Sequence, residues 1–338
     1  MVALGFNEAD TIKSVNDYNY KDKQDHSFDI SYGIDRHFLF GCGVSVASLL
    51  LNNPDVSFTF HIFTDYFTQY EREKFEKLAQ QYKTQIIIYV IDCEKLKTFP
   101  TTKNWSYATY FRFIIADHFA GKLDRILYLD ADIFCKGSIK ELVDLTFAAG
   151  EVAAVVLENE KEWWENRAKK LSTPDLATGY FNAGFLLINL KLWAANAISA
   201  EAMRLLADPA VAEVITHLDQ DILNILLVNK VRLLDKRYNT RLSINYELKK
   251  DFVSPINAKT VLIHYVGPTK PWHNWSDYAV SQSFIAAKDA SPWKEDNLLS
   301  PTNSNQSRYC AKHNFNQKKY LSWIKNYICY YKFKLAEK

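Results

Sequence analysis

Between Phe28 and Asp92 the chain alternates short apolar runs with longer segments of helical period, and few folds admit that order. Phe28–Ile34, Ser57–Thr64 and Thr84–Asp92 read as strands, with Cys42–Leu51 and Gln69–Tyr82 as helices between them, a βαβαβ opening. The run Ile86-Ile-Ile-Tyr-Val-Ile91 is apolar on both faces, as a strand must be when helices cover both sides of a parallel sheet. The expected fold is therefore α/β, a Rossmann-like, mostly parallel sheet with helices on both faces. Further strands are expected at Arg125–Asp130, Ala153–Leu157, Gly184–Leu190 and Val261–Val266, and helices at Ser106–Phe119, Leu192–Leu206 and Gln220–Val228. The expected division is a polar N-terminal leader over 1–27, one large domain over 28–290, and a linker with a basic, aromatic helical tail over 291–338.

A chain of 338 residues with 48% apolar and 24% charged residues has the composition of a globular protein with a full core. Its formal net charge of +2 gives no reason to expect nucleic acid as a partner. The five cysteines are widely spaced and lack the pairing of a disulfide framework or a zinc site. The N-terminus has no basic-then-apolar signal pattern, and the longest apolar runs are too short to span a bilayer, so a cytoplasmic location is expected.

The chemistry concentrates at Arg125-Ile-Leu-Tyr-Leu-Asp-Ala-Asp-Ile133, where an apolar strand delivers Asp130 and Asp132 to the carboxyl edge of the sheet. Open α/β sheets bind ligands at that edge. Two carboxylates suit a hard cation such as Mg²⁺ or Mn²⁺, which takes oxygen ligands and keeps positions open for phosphates. The pair alone is weak evidence, since Asp219-Gln-Asp221 repeats the spacing. Gly41-Cys-Gly43 continues as Val-Ser-Val, so the dinucleotide fingerprint is missing, and no Walker A sequence occurs. An aspartyl-phosphate phosphatase would carry its Asp pair after the first strand, not in mid-chain.

Six segments in order, Tyr32-Gly-Ile-Asp35, Tyr107-Ala-Thr-Tyr-Phe-Arg112, Leu127-Tyr-Leu-Asp-Ala-Asp132, Tyr180-Phe-Asn-Ala-Gly184, Leu218-Asp-Gln-Asp-Ile-Leu-Asn224 and His264-Tyr-Val-Gly-Pro-Thr-Lys-Pro-Trp272, resemble glycosyltransferase family 8. The likeness is strongest to its lipopolysaccharide outer-core α-hexosyltransferases. The resemblance implies a GT-A fold, a UDP-glucose or UDP-galactose donor, Mg²⁺ or Mn²⁺, retention of anomeric configuration and a lipopolysaccharide core acceptor, with α-1,3 linkage favoured over α-1,2. Asp130, Asp132 and His264 match the metal ligands. Gly33, Ile34, Asp35, His37 and Phe38 match the uridine-binding turn, Gly267 and Lys270 the diphosphate contacts. Arg112, Ala131, Asn182, Ala183, Asp219 and Gln220 match donor-sugar contacts, with Arg112, Asp219 and Gln220 as the catalytic set. Many relatives carry Asn and Tyr where this chain has His37 and Phe38, so Phe38 can stack on uracil but cannot donate a hydroxyl hydrogen bond.

A hydrolase using the same ion and a non-catalytic sugar-nucleotide binder are the other classes consistent with these residues. From Lys318 to Leu335, apolar and aromatic residues cover a wide helical face while Lys318, Lys325 and Lys332 recur every seven residues. That pattern fits a helix lying on the anionic inner-membrane surface, or one docked on the catalytic domain. With the first reading, removal of the chain after Asn305 is expected to spare turnover of the donor.

Overall fold

The computed structural model describes residues 11–22, 27–102, 106–158 and 160–336. Its strands are β1 (Ile12–Asn19), β2 (Phe28–Ile34), β3 (Phe58–Thr64), β4 (Gln85–Ile91), β5 (Arg125–Leu129), β6 (Ile133–Cys135), β7 (Ala153–Val156), β8 (Phe185–Asn189), β9 (Val231–Leu234), β10 (Thr240–Leu242) and β11 (Leu262–Tyr265). An eight-stranded sheet has the order β1-β4-β3-β2-β5-β8-β7-β9, and a three-stranded sheet the order β10-β11-β6. In the large sheet β1 and β8 run against the other strands. Each strand expected from the sequence is present, with ends that differ by a residue at most.

Both faces of the sheet are covered, which is why its central strands are largely buried along their length. Leu127 and Leu129 of β5 join one core with α1 (Leu39–Asn52) and α2 (Gln69–Tyr82), while Ile126 and Tyr128 join the other with α3 (Phe111–Phe119). Helix α2 buries only Phe75, Leu78 and Ala79, one stripe at helical spacing, and opens with a Thr68/Glu71 capping box. Helix α1 is buried almost all round. Its Gly41 and Gly43 lie under the indoles of Trp272 and Trp293, where a Cβ would come within 2.5 Å and 2.2 Å of the rings. The Gly-x-Gly therefore serves close packing.

Three expectations are corrected. The leader contains β1, an edge strand antiparallel to β4, with a polar and largely exposed sequence that masks its period. The helix expected over Leu192–Leu206 is two, α5 (Leu190–Ala195) and α6 (Ile198–Leu206), parted at Ala197 with φ +49°. Between β7 and that pair, α4 (Lys161–Lys170) carries Trp163 and Trp164. The segment after 290 is not a loose linker. Trp293 is buried, Lys74 Nζ lies 2.7 Å from Asp296, and Leu299 donates its N–H to the Trp272 carbonyl at 2.8 Å. Beyond α7 (Leu218–Leu226) and α8 (Gln282–Asp289), α9 (Ser304–Asn316) buries Ser307, Cys310, Ala311, His313 and Asn314, whereas α10 (Tyr320–Ala336) buries no residue.

Strand direction builds the functional rim. β5 ends there and hands over to Asp130, and β2 ends there and hands over to Asp35. The reversed β8 begins there, so Asn182, Ala183 and Gly184 meet Asp130, whose N–H donates to the Gly184 carbonyl at 2.8 Å. In the small sheet β11 is antiparallel to β6, which sets His264 opposite Ile133 and beside Asp132.

Candidate active site

Asp130, Asp132 and His264 each offer a ligand atom, all within 4.8 Å of one another. Nε2 of His264 lies 3.2 Å from Asp132 Oδ1 and 3.9 Å from Asp130 Oδ2. Gly184 leaves them room: a Cβ there would stand 2.5 Å from Asp130 Oδ2 and 2.6 Å from His264 Cε1.

The histidine tautomer follows from one backbone N–H. Gly184 N–H donates to Asn182 Oδ1 at 3.1 Å, so that atom is the amide oxygen. Asn239 must turn its Nδ2 towards that oxygen, at 3.0 Å, and its Oδ1 towards His264 Nδ1, also at 3.0 Å. Nδ1 therefore carries a proton, and in the neutral ring Nε2 presents a lone pair to the carboxylates. Acceptors facing acceptors at this distance require a cation or a proton between them. The set fits a divalent ion, with Asn239 as the outer partner that orients the imidazole.

Lys270 closes one side. Its Nζ donates to Asp132 Oδ2 and, at 2.8 Å, to the Tyr265 carbonyl. Burial opposes charge on Asp132, but the Lys270 ammonium, joined by His264 when its ring carries a second proton, outweighs it and holds the carboxyl below the usual range. The loop leading to Lys270 turns at Gly267, whose φ of +88° is one that side chains rarely adopt. Lys270 Nζ also lies 5.9 Å from the centre of the Phe38 ring, so the Gly33–Phe38 turn and this loop converge. Asp35 is tied into that turn, accepting from His37 N–H at 2.9 Å and from the Ser106 hydroxyl at 2.7 Å.

On the other side the buried Arg112 guanidinium joins two carboxylates. Nη2 lies 3.1 Å from Asp130 Oδ1, and Nη1 lies 3.0 Å from Asp219 Oδ2. Its remaining donors reach the carbonyls of Thr109 and Ala183 and the Tyr128 hydroxyl. Arg112 thus orients carboxylates, and contact with a sugar hydroxyl would require one of these bonds to open. Burial pushes the Asp219 carboxyl up to about 6 against the pull of Arg112 and the Thr109 hydroxyl.

Gln220 lies at the start of α7, and its side chain is fully engaged. Oε1 accepts from Asn182 Nδ2 at 2.9 Å and Ala183 N at 3.1 Å, and Nε2 donates to Glu158 Oε2 at 3.0 Å. Glu158 also accepts from Asn182 Nδ2 at 2.9 Å and pairs with Arg241. Sequence reasoning missed this buried carboxylate and Asn239. A signal for Glu158 existed, since it follows the apolar run of β7 much as Asp130 follows β5. A separate cleft of about 1210 Å³ near Asn53, Arg125 and Lys140 opens where β2 and β5 begin, at the other end of the strands from these groups.

Solved structures place this chain path in the GT-A class. The crystal structure of the galactosyltransferase LgtC in complex with donor and acceptor sugar analogs superposes with a TM-score of 0.67 at 23% identity, covering 78% of this chain and 96% of that one. Residues 29–276 match the model of glycosyl transferase family 8, and residues 278–334 that of the glycosyl transferase family 8 C-terminal region. The chain belongs to glycosyltransferase family 8. It is 59% identical over 331 residues, 98% of each chain, to the lipopolysaccharide 1,3-galactosyltransferase of Salmonella typhimurium LT2. It is 50% identical over 333 residues, again 98% of each chain, to the lipopolysaccharide glucosyltransferase WaaO of Escherichia coli K12. A lipopolysaccharide 1,2-glucosyltransferase of Escherichia coli is 36% identical over 308 residues, 90% of each chain.

Proposed function

We propose that this chain transfers galactose, or in the second reading glucose, from its UDP-sugar to the lipopolysaccharide core, forming an α-1,3 bond with retention of configuration. The observation that carries the chemistry is the Nε2 atom of His264 turned towards two carboxylates, a cradle for a cation under a diphosphate. The higher identity to a 1,3-galactosyltransferase than to a glucosyltransferase favours galactose.

In this reading Asp130, Asp132 and His264 hold Mg²⁺ or Mn²⁺, which supplies Lewis-acid charge to the leaving diphosphate. Lys270 adds a point charge to the same oxygens, beside the turn at Gly267. Lys270 thus stabilises charge that grows as the C1–O bond breaks, acting on the transition state more than on the bound donor. Gly33, Ile34, Asp35, His37 and Phe38 hold the uridine. Ala131, Asn182 and Ala183 line the sugar, and Asp219, kept in place by Arg112, accepts from its hydroxyls. The Gln220 oxygen, already accepting two N–H bonds, is a poor nucleophile. A front-face route suits this site: the acceptor oxygen bonds C1 on the side UDP leaves, and its proton passes to the departing phosphate oxygen.

The acceptor is lipid-anchored, and we place the chain at the cytoplasmic face of the inner membrane through α10. Leu321, Ile324, Ile328, Tyr331 and Leu335 form an exposed apolar stripe on that helix, with Lys325 and Lys332 alongside. Among the described residues no helix is long and apolar enough to cross a membrane. Each lysine near an anionic surface adds about 1 kcal/mol.

Purified protein supplied with Mn²⁺, either UDP-sugar and truncated core oligosaccharide tests the reaction. The proposal expects UDP release that depends on the acceptor, and an α-1,3 product by NMR. Equal UDP release without the acceptor would make the protein a hydrolase.

A further inference from the structure

Helix α9 reaches the donor loop through three side chains outside the catalytic set. Asn245 presents one oxygen, Oδ1, to two groups: the Thr269 hydroxyl donates to it at 2.7 Å, and His313 Nε2 lies 2.9 Å away. An amide oxygen only accepts, so His313 carries its proton on Nε2. Its Nδ1 then accepts from the Tyr278 hydroxyl at 2.7 Å. His313 is wholly buried, and burial moves its pKa down to about 4, in keeping with a neutral ring that has one proton to donate.

Thr269 precedes Lys270, and both are held from this side. The Thr269 hydroxyl accepts from Trp275 Nε1 at 3.4 Å, the Trp275 ring stacks on His273 at 4.2 Å, and His273 Nδ1 accepts the Lys270 N–H at 3.1 Å. A loop turning at a glycine would otherwise have to be ordered when ligand binds, and bonds that order it beforehand improve affinity.

We propose that His313, Asn245 and Thr269 form a positioning relay through which α9 holds the Gly267–Lys270 loop ready for the donor diphosphate. The relay rests on the UDP-sugar reading above. It makes the C-terminal region part of the donor site without touching the donor.

The test compares UDP with uridine, which lacks the phosphates and so reads the nucleoside turn without the loop. Affinities are measured with Mn²⁺ on full-length wild-type, His313→Leu, His313→Gln and Thr269→Val proteins. His313→Leu and Thr269→Val should weaken UDP binding roughly three- to tenfold, the worth of an ordinary hydrogen bond, and leave uridine binding unchanged. His313→Gln keeps a side-chain N–H and should recover most of the loss. Thr269→Val reports the same link if His313→Leu does not fold. Unchanged UDP affinity in Thr269→Val, or an equal loss for UDP and uridine, would overturn the relay. Wild-type protein that fails to bind UDP would sink the donor reading, and the relay with it.

Discussion

Nε2 of His264 faces Oδ1 of Asp132 across 3.2 Å, and the hydrogen bond from Nδ1 to Asn239 leaves a lone pair on that nitrogen. Such a contact needs a cation or a second ring proton between the two atoms, and the third ligand, Asp130, favours the cation. Asp130→Ala, Asp132→Ala and His264→Ala should each abolish divalent-dependent transfer while melting close to wild type. Asn239→Leu removes the outer partner and should weaken ion binding about ten- to a hundredfold. Calorimetric titration of Mn²⁺ with UDP present reads both, and wild-type turnover of Asp132→Ala in excess EDTA would remove the ion from the mechanism.

Gly184→Ala installs one methyl group between Asp130 and His264, within 2.6 Å of both. The chain cannot keep that methyl and the ion together. Transfer should fall by about two orders of magnitude with little change in the far-UV spectrum, and Mn²⁺ titration should show the lost site. Normal Mn²⁺ affinity in this variant would mean that the ligands can relax away from the rim.

Burial sets Asp219 at about 6, above the ordinary carboxylate value, so the neutral acid persists to that pH and the charged form is gained as pH rises through it. If the carboxylate is the form that accepts from sugar hydroxyls, kcat/KM should fall about tenfold per pH unit below 6. Asp219→Asn should be slow and should lack that acid limb. A wild-type limb retained in the variant would assign the titration to another group.

Gln220→Glu would place a second carboxyl 3.0 Å from Glu158. Two carboxylates at that distance cannot both ionise readily, so one pKa should rise by several units and the optimum should move to acid pH. Gln220→Ala should instead lose most of the rate at every pH. A pH profile for Gln220→Glu that overlays wild type would separate Glu158 from the reacting region.

The burial of α9 moves the expected silent cut from Asn305 to Gln317. Ending the chain at Gln317 should leave donor turnover intact and abolish salt-sensitive binding to anionic vesicles, read by cosedimentation. Ending it at Asn305 also strips five buried residues from the body and should lower the melting temperature by roughly 5–10 °C. Equal vesicle binding by the full chain and the Gln317 truncation would refute the role given to α10.

The sheet was legible because its strands are apolar on two faces and bounded by helices of clear period. Direction was not: Phe185–Asn189 is as apolar as β5, and nothing in such a run says that it lies antiparallel. β1 escaped because an edge strand carries Lys13, Ser14 and Asp17 where a central strand carries isoleucine. In the site, Asp130, Asp132 and His264 stood in recognisable segments, and the structure brings them together. Asn239, Glu158 and His313 act through long-range partners, and a lone Asn, Glu or His in sequence says nothing of what it will face.

Lys318, at φ +61°, turns the chain from α9 into α10 within a joint of three residues, Gln317, Lys318 and Lys319. So short a joint gives the body little freedom to swing about its foot. Laid flat on lipid headgroups, the 17 residues of α10 make a footing about 25 Å long. If α10 lies on lipid as proposed, the height of the catalytic rim above that surface would be set by the protein and not by a slack tether. The enzyme would work as a caliper, passing over glycans whose growing end stands too low or too high before any hydroxyl is tested.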